Sequence, residues 1–285
     1  MNYQIITDSC CDLTEQQLKN LQVTCASLTL MYNGENHSNF SDPVAVKAFY
    51  DELRNGIMAT TAAVNPDSWA ELMKPVLEAG EDVLVLAFSS GLSTTYQSAV
   101  IAAKELQECY PDRKIFVVDT LCAALGQGLL VQYACKKRDA GMPIEELAAW
   151  LEEHKLNLCH WVTVDDLSHL KRGGRISATT ALVGTMLNVK PIIHVDNDGH
   201  LINCAKVRGR KAAMDYLAKK FAENCTDFDT VFIAHGDCPE DAAALEAMLR
   251  EKHDIREITT GYVGTVIGAH TGPGVLVVFF MGSKR

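Results

Sequence analysis

The chain has 285 residues, 48% apolar and 22% charged, which suits a globular protein with two cores or one large core holding an internal cavity. A formal net charge of −10 argues against nucleic acid or an anionic membrane as a partner of the whole molecule. Ten cysteines form neither a Cys-x-x-Cys pair nor a metal-like cluster, so they read as reduced thiols in a cytoplasmic protein with no metal site.

The first residues enter an apolar segment directly, without a basic leader or cleavage signal. Residues 3–7 predict a buried strand ending at Asp8-Ser9, and residues 23–32 contain a second strand. Helices are expected over 43–54, where Asp42 precedes Pro43 as cap and first helical residue, and over 67–79. Residues 83–87 predict a strand that ends in Ser89-Ser90-Gly91-Leu92-Ser93-Thr94-Thr95. A helix over 93–108 follows, with Thr94 and Gln97 spaced as a capping box. A strand over 115–118 and helices over 123–140 and 144–154 complete the first half. Strands alternating with helices imply a parallel sheet covered on both faces.

The second half has a different rhythm. Residues 158–164 are strand-like, and 189–195 and 200–207 flank Asn197-Asp198-Gly199, a hairpin signal. Further strands are expected over 229–234 and 275–280, with helices over 210–224 and 239–252. A hairpin among these elements implies a mixed sheet. The expected fold is therefore α/β in two domains: an N-terminal α/β/α domain over 1–157 and a C-terminal mixed α/β domain over 158–285. The apolar run over 275–281 is too short to span a bilayer.

Four segments gather small and hydroxyl residues at predicted strand ends: Thr7-Asp8-Ser9, Thr60-Thr61-Ala62, Ser89 to Thr95, and His270-Thr271-Gly272-Pro273-Gly274. Loops after parallel strands converge on one edge, where open α/β sheets bind ligands. Asp8 and Ser9 read either as a helix cap or as ligand contacts. Thr60 and Thr61, taken alone, are ordinary loop residues. The serine loop has more hydroxyls than one cap requires, and a strand–turn–helix junction aims N–H groups at an anion. It contains no Lys or Arg and no base beside its serines, which favours holding a carboxylate or phosphate over attacking a carbonyl. His270 reads equally as a core histidine or as a site residue.

Between Lys171 and Lys211 there are eight Lys/Arg against Asp196 and Asp198, a local charge of +6 that leaves −16 on the remainder. This basic stretch suggests one specific anionic partner. Within it Gly173-Gly174-Arg175 closes a short helix, and Lys206, Arg208, Arg210 and Lys211 extend a basic platform. Asp165 and Asp166 are read as helix caps, since no third metal ligand lies nearby.

In this order and spacing the segments resemble the DegV family, the fatty-acid-binding B subunits of bacterial fatty acid kinase. The resemblance is carried by Thr7-Asp8-Ser9 with Asp12-Leu13, Thr61, Ser89-Ser90-Gly91-Leu92-Ser93 with Thr95 to Ala99, and Asp166-Leu167 with Gly173-Gly174-Arg175-Ile176-Ser177. Asn188 to Ile193, Arg208-Gly209 and His270 to Gly274 complete it. It implies a long acyl chain buried between two domains, with Thr61, Ser93 and His270 holding the carboxylate. Ser9, Ser90, Gly91, Thr94, Thr95, Thr271 and Gly272 would form the supporting loops. Arg175 and Arg208 would lie on or near the face shown to a kinase A-type subunit, which converts the fatty acid to an acyl phosphate for phospholipid synthesis. The chain departs from the family in having Ala62-Ala63-Val64 after Thr61, where Ser-Gln-Pro is usual, and Thr94 in place of Gly.

The resemblance thus implies a non-catalytic carrier with no cofactor beyond its fatty acid. The competing reading is a stand-alone hydrolase or phosphotransferase using Ser93 and His270. Neither a G-x-S-x-G elbow nor a P-loop supports it.

Overall fold

The computed structural model describes residues 3–39, 42–165, 167–176 and 188–285; Asp166 and Ser177 lie outside them. The fold is α/β. Its first half opens with β1 (Tyr3–Asp8), a 3-10 turn over Ser9–Cys11, α1 (Glu15–Asn20) and β2 (Thr24–Ala26). A hairpin of β3 (Thr29–Tyr32) and β4 (Glu35–Ser38) leads to α2 (Pro43–Arg54) and β5 (Thr60–Ala62). Then come α3 (Pro66–Glu78), β6 (Asp82–Ala87), α4 (Thr95–Cys109), β7 (Ile115–Asp119), α5 (Leu125–Asp139) and α6 (Ile144–His154). The second half runs β8 (Leu158–Thr163), α7 (Ser168–Arg172), β9 (Val189–Val195), β10 (Leu201–Arg208), α8 (Arg210–Asn224) and β11 (Thr230–His235). It ends with α9 (Pro239–Lys252), β12 (Glu257–Tyr262), α10 (Thr265–Thr271) and β13 (Leu276–Met281).

β2, β1, β6 and β7 form a parallel sheet in that order. β10, β9, β8, β13, β11 and β12 form a mixed sheet, antiparallel except for the last pair. A small antiparallel sheet, β4-β3-β5, pairs Leu30 with Thr61. The two large sheets make five layers. Trp69 and Met73 of α3 and Ala102 and Leu106 of α4 cover Ile6, Val83 and Val85 on one face of the parallel sheet. On its other face Ile5, Leu84 and Leu86 share an apolar cluster with α5 and α6, and α5 also covers the mixed sheet at β8, β11 and β13. α8 and α9 close the far side through Leu217, Phe221, Leu245 and Leu249. A helix shared by two sheets must be apolar on more than one side, and Leu125, Leu129, Leu130, Val131 and Ala134 of α5 are all buried. The two halves therefore share one apolar cluster.

Several local expectations change. The Thr94–Gln97 capping box does not form; Thr94 makes no side-chain cap bond, and Ser93 Oγ accepts from Thr95 N instead, at 3.2 Å. Asp8 caps the 3-10 turn, accepting from Cys10 N, while α1 begins later behind Thr14. Asp165 does not cap α7, whose N-cap is Leu167; it pairs with Lys190 at 2.6 Å. Three of the eight basic residues of this stretch pair with acids from outside the basic set, through Lys190–Asp165, Arg210–Asp241 and Lys211–Asp215.

In the parallel sheet the strand order reverses direction at β1 and β6, so the loops after these two strands diverge and leave a crevice. Asp8, fully buried at the end of β1, ties the two ends together. Its carboxylate accepts from Phe88 N at 2.7 Å, Cys10 N at 3.0 Å and Gln127 Nε2 at 3.2 Å. Burial raises its pKa to about 6, a rise opposed by these donors.

All three partners of Asp8 donate, so Asp8→Asn turns a donor toward donors. It is expected to cost about 1–3 kcal/mol in urea unfolding. Because the folded carboxyl binds its proton more readily than the unfolded one, its stabilising contribution is full below the unfolded pKa and is lost as pH rises through about 6. The deficit of Asp8→Asn should therefore be larger near pH 5 than near pH 7. An equal deficit at both would contradict this account of the network.

Candidate functional site

The serine loop after β6 is clamped from three sides. Asp8 holds Phe88 N. Asp119, at the end of β7, accepts from Ser90 N at 3.1 Å and from Leu121 N at 3.2 Å. The Ser89 hydroxyl donates to Gly199 O at 2.9 Å, in the β9–β10 turn. Gly91 lies so close to that turn that a Cβ there would sit 2.7 Å from Asp198 O. Residues of the first half are thereby fixed against a hairpin of the second, which explains the glycine without giving it a ligand.

Within this frame Ser93 Oγ lies 2.9 Å from Thr95 Oγ1, at the start of α4. Thr61 alternates inward on β5 between exposed Thr60 and Ala62, and its Oγ1 lies 2.7 Å from His270 Nε2. Its strand is three residues long, with no apolar alternation to reveal it in the sequence. His270 is carried by α10, whose Thr-Val-Ile-Gly composition hides a helix. Burial, and then the nearby Arg175 guanidinium, lower the His270 pKa to about 4, so its ring is neutral at pH 7. Among the described residues its Nδ1 has no hydrogen-bond partner, and it faces Gly173, where a Cβ would collide with it.

Arg175 is the residue whose place the sequence reading missed. It was expected toward a partner, yet it lines the cavity with Ser93 and His270. Its Nε donates to Leu92 O at 3.1 Å and its Nη1 to Gly173 O at 2.5 Å, which orients the guanidinium beside the serine loop. The loop has no cation of its own; α7 and the Gly173-Gly174 turn bring one.

These groups line a cavity of about 450 Å³ whose remaining wall is mostly apolar. Leu28, Phe88, Leu92 and Ala123 come from the first half. Val162, Ile193, Val195, Val277 and Phe279 come from one face of the mixed sheet, and Val263, Val266 and Ile267 from the approach to α10 and its first turns. That volume lies in the usual range for an enclosed small-molecule site. His160 also lines it; burial holds its pKa well below the usual imidazole range, and its Nε2 accepts from Ala123 N at 3.2 Å. The sheet residues escaped sequence reading because their strands are nearly continuous apolar runs, in which the two faces look alike.

Of the expected supporting residues, Ser90, Thr94 and Thr271 line the cavity. Ser9 turns away and accepts from Leu28 N at 3.0 Å. Thr95 is buried beneath Ser93. Gly272 ends α10 at φ +77°, a conformation that favours glycine. Arg208 is exposed at the end of β10. Among the described residues no cluster of His, Cys, Asp and Glu could hold a metal, and no helix is long and apolar enough to cross a membrane.

The family model described as "Uncharacterised protein, DegV family" matches residues 2–283. A DegV domain-containing protein of Clostridium perfringens is 45% identical, over 99% of this chain and 98% of its own. A Thermus thermophilus DegV family protein solved for its fatty acid binding superposes with a TM-score of 0.87 at 29% identity, covering 98% of this chain and 99% of that one. DegV of Bacillus subtilis, described as a fatty acid binding protein, gives 0.84 at 28% identity, with 98% of each chain covered. The chain belongs to the DegV family.

Proposed function

We propose that this protein is a cytoplasmic carrier of a long-chain fatty acid and that it presents the carboxylate to a kinase subunit. The observation that carries the reading is a mostly apolar cavity whose lining includes the polar group Thr61, Ser93, His270 and Arg175. Each buried methylene contributes about 0.8 kcal/mol, so an acyl chain alone supplies most of the affinity. The carboxylate then needs donors for its oxygens, since a buried orphan charge is costly. Thr61, Ser93 and Arg175 would donate. With the Nε2–H tautomer of His270 donating to Thr61 Oγ1, the threonine proton is left for the ligand, and His270 acts as a positioning residue. We take residues 1–157 and 158–285 as two domains with the ligand between them. Arg208, exposed on β10, would meet the kinase subunit.

The chemistry expected of the partner is simple. One carboxylate oxygen attacks the terminal phosphorus of a nucleoside triphosphate held by the kinase. The new O–P bond forms as the bridging O–P bond breaks, and the nucleoside diphosphate leaves. An ionised carboxylate needs no base, which fits a site without one. The acyl phosphate would feed phospholipid synthesis. The hydrolase alternative is disfavoured by geometry: His270 Nε2 faces Thr61 rather than Ser93, and its Nδ1 meets no orienting acid among the described residues.

Protein purified from a bacterial host should yield a fatty acid on solvent extraction, identified by mass spectrometry. Absence of any acid, together with no binding of added palmitate, would sink the carrier reading. Ser93→Ala and Thr61→Val should each weaken palmitate binding about tenfold, the loss expected for one hydrogen bond to a charged group. Neither should alter binding of the methyl ester by more than about twofold, because the ester lacks the charge. Equal losses for acid and ester would remove these residues from the carboxylate site.

A further inference from the structure

A separate cavity, of about 360 Å³, opens between the starts of α1 and α2 and the edge strand β12. Among the described residues it has no lining residue in common with the cavity already described. Exposed Thr14, Pro43 and Thr260 place its mouth at the surface. Asp12 lies in its wall. Both Asp12 carboxylate oxygens are closed off from solvent, and neither takes a hydrogen bond of ordinary geometry from the described residues. They sit against Gly264 and Asn39; a Cβ on Gly264 would collide with Asp12 Oδ1 and fall 3.0 Å from Asn39 Nδ2. The Asn39 side chain bonds Ser9 O, Thr265 Oγ1 and Val266 N instead. Burial pushes the Asp12 carboxyl well above the usual carboxylate range; the Gly264 backbone N–H opposes the rise and Asp8 adds to it.

No Lys or Arg is among the described lining residues. Lys47, the first cation of α2, pairs with Asp51. Tyr262 and His235 form an aromatic part of the wall, with ring centroids 4.6 Å apart. Burial lowers the His235 pKa, so its ring brings no positive charge at pH 7. Thr14 and Thr259 bring hydroxyl oxygens that can accept. An acid without a counter-ion, an aromatic face and hydroxyl acceptors suit an alkylammonium group. An anion would be repelled by Asp12, and a neutral ligand would leave the acid unmatched. We propose that this cavity binds a small organic cation carrying a primary ammonium group, with Asp12 as its counter-charge and Tyr262 beside its alkyl part. The buried acid, a cost to the protein on its own, then becomes the element that selects the ligand. The site flanks a helix used by the other cavity: α10 starts behind Gly264 here and ends with His270 and Thr271 at the carboxylate rim.

The experiment measures binding of putrescine, a four-carbon diamine, and of the matching diol by calorimetry on wild type and Asp12→Asn. It is run at about 0.15 M salt, where loose attraction to surface charge is screened. Asp12 has φ +53°, a conformation that Asn also tolerates, so the substitution keeps the backbone. Wild type should bind putrescine, and Asp12→Asn should weaken it about tenfold or more, the loss expected for a charge-assisted contact. The diol should bind wild type at least about tenfold more weakly than putrescine does. Absence of putrescine binding to wild type would overturn the proposal, and so would diol binding as tight as that of the diamine. Equal putrescine binding by Asp12→Asn would also overturn it, tracing the attraction to the −10 charge of the whole molecule. A cooperative thermal transition shows that the variant folds. Should it not fold, a crystal structure of wild type grown with putrescine decides. An ammonium nitrogen within about 4 Å of an Asp12 carboxylate oxygen is the expected result, and a cavity without the diamine is the contrary one.

Discussion

The hydrogen bond between Thr61 and His270 joins two residues that the chain separates by 209 positions. One sits on a three-residue strand of the small sheet, the other on a short helix leading into the last strand of the mixed sheet. For their side chains to meet, the small sheet must be fixed against the second half, and α10 must lie across the mouth of the cavity. The clamps on the serine loop, Asp8 from β1, Asp119 from β7 and Gly199 from the hairpin, serve the same geometry. So does Tyr50 of α2, whose hydroxyl donates to Val263 O at 2.7 Å just before α10. The polar rim is thus assembled from both halves, and neither contains it alone.

Its electrostatics follow from that assembly. The serine loop carries no cation, and a lysine buried there would have lost its hydration with nothing to replace it. Arg175 instead approaches from a glycine turn, with two of its N–H groups held by carbonyl oxygens. Its positive charge adds to burial in keeping His270 neutral. A neutral imidazole beside a fixed guanidinium can orient a hydroxyl without repelling a cation or competing for the anion.

Much of this was legible in the sequence. Helices with clear ends, such as α2 behind Asp42-Pro43 and α6 over Ile144–His154, were placed to the residue, because caps and helical periodicity are local signals. The hairpin at Asn197-Asp198-Gly199 was equally plain, although its role in holding Ser89 was not. β4, β5 and β12 left no trace, since short or polar edge strands lack alternation. Arg175 was legible as unusual but not as a cavity residue. Its position depends on a turn folding back over α10, and one-dimensional spacing holds no record of that. The serine loop stands out in the sequence, but not how its hydroxyls divide their tasks: Ser89 docks, Thr95 supports, and Ser93 with Ser90 and Thr94 lines the cavity.

The central claim is that a fatty acid lies with its chain among Phe88, Ile193 and Phe279 and its carboxylate at the Thr61–His270 rim. A crystal structure of this protein loaded with a single long-chain fatty acid tests it most directly. The account requires carboxylate oxygens within hydrogen-bonding distance of Thr61 Oγ1 and Ser93 Oγ, with the Arg175 guanidinium alongside. A ligand bound in the reverse direction, with its methyl end at the rim, or seated outside the cavity would contradict it.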